Sequence, residues 1–93
     1  MNTFKSTGDL NHLYFQNFER IDESIIYRNV LSILKEQPNI VFYSEELLPF
    51  ADVTRGIFKT IPFYVGLDLN YGTYIRCDDQ NCLKEIELLL QNN

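Results

Sequence analysis

Two thiols, Cys77 and Cys82, are the side chains of this sequence best suited to nucleophilic or redox chemistry. They are expected to straddle a strand-to-helix junction, where a helix N-terminus can lower a thiol's pKa and open a redox or metal role at Cys82. Their spacing argues for a plainer account. Zinc needs about four ligands at characteristic intervals, and the thioredoxin-type motif has two intervening residues where this pair has four. Both cysteines are therefore expected to be buried and unreactive, as free cysteines commonly are.

The single histidine, His12, would have to anchor any imidazole-based triad or metal site, and it falls in a polar stretch at the start of the chain. A surface histidine without chemical duty is the expectation. The carboxylate pairs Glu45-Glu46 and Asp78-Asp79 could share protons or bind a hard cation, but neither fits a calcium-loop spacing. Both stand where a helix is expected to begin, so capping and the helix dipole account for them. Gly66 lies outside any glycine-rich phosphate pattern and is expected to mark a bulge or a close backbone approach. These residues imply no cofactor, no metal and no enzyme.

A different chemistry is offered by Tyr64, Asp68, Tyr71, Thr73, Tyr74 and Arg76. Between Phe63 and Leu69 apolar residues alternate with Tyr64, Gly66 and Asp68, the period of a strand with one buried face. Asn70-Tyr71-Gly72 supplies residues that tolerate positive φ, so 63–69 and 73–77 are expected to form an antiparallel hairpin. Phe63, Val65, Leu67, Leu69, Ile75 and Cys77 would then point inward, and the six residues above outward or at the turn. Thr73 belongs to that set only if the turn has the right register. Tyrosine and arginine combine large contact area with a polar end, which makes this set a candidate protein-binding face. A merely solvated sheet face, or one covered by the N-terminal segment, is the alternative.

The elements that position these residues follow from capping and periodicity. Asp22 as N-cap, with Glu23 and Lys35 at opposite ends, predicts a helix over about 22–37 that Pro38 stops. Asp79 or Asn81 caps a second helix over 80–91. Ile40-Val41-Phe42-Tyr43 reads as a strand, 45–50 as a short helical turn before Pro49, and 50–56 as a loop. Ile57–Ile61 reads as a further strand or an edge. Residues 1–12 read as a flexible lead-in, and Leu13-Tyr14-Phe15-Gln16 as a short strand or an extended segment laid on the core. The sum is one α+β domain over 1–93: a small antiparallel sheet of three to four strands with both helices on one face.

The net charge of −5 repels phosphate backbones, so nucleic acid is not expected as a partner, whereas a basic protein surface would be attracted. No stretch approaches the roughly 20 apolar residues that span a bilayer, and the start of the chain lacks a signal-peptide core. A cytoplasmic protein without a membrane partner is expected. The combination points to an acidic, non-catalytic protein-binding module, by analogy an immunity or antitoxin-type inhibitor of a basic partner. A self-associating structural or regulatory subunit, present as a homodimer, is the second expectation, and a thiol-dependent redox or metal protein the third.

Overall fold

The computed structural model describes residues 1–92, so the last residue of the domain expected over 1–93 lies outside the described residues. Helix α1 (Glu23–Lys35) starts where the Asp22 carboxylate accepts the Ser24 N–H at 2.9 Å, satisfying one of the donors a helix start leaves orphaned. It ends two residues short of the expected boundary, with Glu36 as its C-cap. Helix α2 (Gln80–Gln91) starts in the same way, with Asp79 accepting the Cys82 N–H at 2.9 Å. Each helix buries one stripe: Ile26, Tyr27, Val30 and Leu34 on α1, and Cys82, Leu83, Ile86 and Leu90 on α2.

Six strands form one antiparallel sheet: β1 (Thr3–Ser6), β2 (Asp9–Phe15), β3 (Ile40–Leu47), β4 (Ala51–Phe58), β5 (Ile61–Asp68) and β6 (Gly72–Arg76). Their order across the sheet is β1-β2-β6-β5-β4-β3. The α+β class is as expected, while the sheet is larger than three to four strands for two physical reasons. The N-terminal stretch is a hairpin rather than a lead-in, since Gly8 lies in the turn joining β1 to β2 and β2 pairs with β6 through Leu13 opposite Ile75. The stretch expected as helical turn and loop is a second hairpin, because Glu45, Glu46 and Leu47 continue β3 opposite Thr54, Val53 and Asp52. Tertiary pairing here overrides the local helix signal of Ser44-Glu45-Glu46.

Pro62 is accommodated inside β5 because it lies beyond the last pair with β6, Tyr64 opposite Arg76, so its missing N–H costs that ladder nothing. Register in β5–β6 is set by Asp68 opposite Gly72, which leaves residues 69–71 as the connection. Odd-numbered residues then pair with odd, as Val65 does with Ile75 and Leu67 with Thr73. Thr73 therefore faces the helices and is 1% exposed, a correction to its expected outward position. Leu69, expected to be buried, lies past the end of the strand and is 78% exposed.

Both helices cover the same face of the sheet. Leu13, Phe15, Phe63, Val65, Ile75 and Phe58 meet the helix stripes in one continuous core that also takes in both cysteines. Each fully buried large side chain contributes about 1.5–3 kcal/mol over its exposed state. Phe42 meets Phe63 edge-on at 5.6 Å directly over Gly56, where a Cβ would stand 2.9 Å from both rings. A buried polar pair between α1 and β4, Tyr27 Oη and Thr54 Oγ1, closes at 2.6 Å.

The start of α1 is fastened to the β5–β6 connection. Glu23 accepts the Thr73 N–H at 3.0 Å and the Asn17 side-chain amide at 2.6 Å, and the Thr73 hydroxyl donates to the Glu23 carbonyl at 3.2 Å. Glu23→Ala leaves a buried backbone N–H without its acceptor and is expected to cost about 1–3 kcal/mol in urea unfolding. Glu23→Gln keeps an acceptor oxygen in place and should lose less than half of that; equal losses would mean that the clamp acts through packing alone.

Candidate functional site

Because the helices take one face of the sheet, the other is covered by no element among the described residues, and its composition follows from the register. One row across it reads Phe4, Tyr14, Tyr74, Gly66, Val53 and Glu46, from edge to edge. The next reads His12, Arg76, Tyr64, Arg55 and Ser44. Of the expected site residues, Tyr64, Tyr74 and Arg76 lie on this face, and Asp68 and Tyr71 stand at its turn end. Thr73 is on the opposite side.

The rings are in mutual contact. Phe4 stacks on Tyr14 at 5.6 Å between centroids, Tyr14 on His12 at 5.9 Å, and His12 meets Tyr74 at 5.5 Å with a 50° tilt. The two pairs that cross strands, Phe4 with Tyr14 and His12 with Tyr74, stabilise the sheet beyond the area they bury. Tyr74 lies flat over Gly66, where an added Cβ would run into Cζ, Cε1 and Oη of the ring. The glycine marks neither the bulge nor the close backbone approach expected of it, but room for the ring of a cross-strand side chain.

Two carboxylates border the rings. Asp9 accepts from the Tyr14 hydroxyl at 3.3 Å and bonds His12 Nδ1 at 2.6 Å. The His12 hydrogen bond holds the Asp9 carboxyl below its ordinary range, with the His12 charge, the Tyr14 hydroxyl and the Asn11 backbone acting the same way against partial burial. Asp68 accepts the N–H groups of Asn70 and Tyr71 through one oxygen, at 2.7 and 3.1 Å. Burial raises the Tyr14 phenol, as do the charge and hydrogen bond of Asp9; burial and then Asp68 raise Tyr74, with Arg76 opposing. Both phenols are therefore neutral at physiological pH. His12, Tyr14, Asp68, Tyr71 and Tyr74 enclose a half-open cavity of about 240 Å³.

The other half of the face is built around guanidinium groups. Arg55 pairs with Glu46 at 2.6 Å and lies 5.9 Å above the Tyr64 ring, and Arg76 stands 3.9 Å from Asp78. These cations already have anionic neighbours. Asp68 has no Lys or Arg beside it among the described residues.

His12, Tyr14 and Phe4 are the site residues that sequence reasoning missed. The available signal was the alternation of Leu10, His12 and Tyr14 with Leu13 and Phe15, hidden by the polar neighbours Asp9 and Asn11. The thiols are buried as expected, and burial, reinforced by Cys77, pushes Cys82 up to about 12. The helix start does not win at this thiol, because Asp79 takes up the Cys82 N–H and adds its own negative charge. Among the described residues no helix is long and apolar enough to cross a membrane.

Two titrations check this electrostatic picture. Raised phenol pKa values stabilise the fold fully below the ordinary tyrosine value of about 10, and that contribution is lost as pH rises through the folded values. Tyrosine absorbance should accordingly show Tyr14 and Tyr74 ionising above the ordinary tyrosine value, and Asp9→Asn should bring Tyr14 down. Cys82 should resist an aromatic disulfide reagent at pH 8 in the native protein and react once urea unfolds it; rapid native labelling would contradict its burial.

Compared with protein families, with curated proteins and with solved structures, the chain matches none.

Proposed function

We propose that the chain is a non-catalytic protein-binding module, of the immunity or antitoxin kind, that neutralises a basic partner protein by docking it on the open face of the sheet. The observation that carries this reading is the run of rings Phe4, Tyr14, His12 and Tyr74 on a face that neither helix covers. Rigid aromatic side chains bury much area at little entropic cost, which is why they recur as interface anchors. Charge gives the partner its sign. The chain carries −5 overall, the cations on the face are neighboured by carboxylates, and Asp9 and Asp68 border the rings without Lys or Arg. Such a field speeds the approach of a basic surface and repels nucleic acid.

Self-association is the second reading, and one observation favours it. Among the described residues the edge strand β3 pairs with β4 alone, and it exposes Val41, Tyr43 and Leu47 along its length. An unpaired edge of this length can template a second copy, although Glu45 and Glu46 oppose it by placing like charges at the join.

Affinity capture from native lysate, read by mass spectrometry, tests the first reading with Tyr74→Ala and Asp68→Lys beside the unmodified chain. One basic protein recovered by the unmodified chain and lost from both variants is the expected result. Recovery unchanged in both would remove the open face as the main contact. Light scattering decides the second reading: a robust dimer that Val41→Lys and Leu47→Lys on the β3 edge return to monomer would replace the first with it.

A further inference from the structure

We infer that the cavity bounded by His12, Tyr14, Asp68, Tyr71 and Tyr74 is a subsite for one arginine side chain of the basic partner. The inference rests on the docking reading and names the contact at its centre. Size comes first. At about 240 Å³ the cavity falls below the roughly 300–1,000 Å³ of small-molecule sites, so it suits a single long side chain.

The lining selects a cation. Three phenol rings and an imidazole border the space, and aromatic faces attract guanidinium and ammonium groups through the ring quadrupole. Asp68 supplies the counter-charge. One of its oxygens is held by the N–H groups of Asn70 and Tyr71, which fixes the carboxylate, while the second oxygen has no hydrogen-bond partner among the described residues. The Tyr74 hydroxyl is likewise without a partner among them, whereas the Tyr14 hydroxyl is committed to Asp9. The walls thus offer two acceptors, Asp68 and Tyr74, beside stacked ring faces.

Geometry then favours arginine over lysine. A planar guanidinium can lie against a ring while its N–H fork reaches the carboxylate, and a compact ammonium cannot do both as well. One cation of this face already shows the pattern: Arg55 lies over the Tyr64 ring and is bonded to Glu46. The molecule therefore already contains, in cis, the arrangement the cavity would complete with a partner's arginine.

The test uses the intact chain and three capped tripeptides, Gly-Arg-Gly, Gly-Lys-Gly and Gly-citrulline-Gly, followed by NMR titration. Saturable shifts at His12, Tyr71 and Tyr74 in the order arginine, lysine, citrulline are expected. Asp68→Asn retains the turn-holding oxygen and should weaken arginine-peptide binding about tenfold or more, the loss of one charge-assisted bond. Gly66→Ala swings the Tyr74 ring aside, and should abolish the preference for arginine while the spectrum stays that of a folded protein. A response that ignores charge, any other order of the peptides, or no response overturns the subsite. The docking reading fails separately. A partner kept by Asp68→Asn but lost from Tyr74→Ala leaves the face in use and removes only the arginine subsite, whereas a partner kept by Tyr74→Ala and Asp68→Lys removes the face itself.

Discussion

The three residues between Asp68 and Gly72 decide which side chains the protein shows to solvent. A strand alternates with period two, so a shift of one residue in the pairing of β5 with β6 would send Ile75 outward and Tyr74 and Arg76 into the core. Several groups oppose that slip together. Asp68 ties down the N–H groups of Asn70 and Tyr71, Gly72 takes a φ of +76 that side chains rarely adopt, and Glu23 accepts from Thr73. A Cβ at Gly72 would in any case strike the Glu23 carboxylate. The turn, the first turn of α1 and the division of the sheet into two faces are consequently one construction.

With the register fixed, the two faces solve opposite problems. The covered face must bury apolar area with few polar atoms, and it does so with Phe63, Val65, Leu13 and Ile75 against the helix stripes, admitting Thr54 and Thr73 only because each is hydrogen-bonded. The open face must remain ordered without a covering layer. Stacking of Phe4, Tyr14, His12 and Tyr74 supplies that order from within the sheet, and the Tyr74 ring shields the backbone at Gly66. A face preorganised in this way loses little side-chain entropy on contact with another surface.

The legible parts of the fold were those set by nearby residues. Asp22 and Asp79 cap their helices within three residues of themselves, and the alternation of Phe63, Val65 and Leu67 fixes the β5 face without reference to any other strand. The parts that were not legible depend on partners distant in sequence. The β2 strand carries Asp9, Asn11 and His12, which look like a surface tail until β6 supplies the other half of the ladder more than sixty residues away. Glu45 and Glu46 look like a helix start because the opposing Thr54 and Val53 follow a proline that locally forbids a long helix without specifying a strand. For the site, Tyr64, Tyr74 and Arg76 were readable from parity, Thr73 depended on a turn length that the residue types did not determine, and His12 required the N-terminal hairpin.

The uncovered face is also electrically divided, and the division follows strand order. Over β4 and β5, cations are held close to the anions and ring they need, since Arg55 already has Glu46 and the Tyr64 ring. Around β2 and the β5–β6 connection stand two anions, Asp9 engaged by a histidine and a phenol and Asp68 by backbone N–H groups, while Arg76 on β6 is neighboured by Asp78. A carboxylate held by hydrogen-bond donors loses the freedom to turn away. The sheet thus presents a fixed negative field and an aromatic surface at the same end, and it is this coincidence, rather than the overall charge of the chain, that gives the face a preferred chemistry of contact.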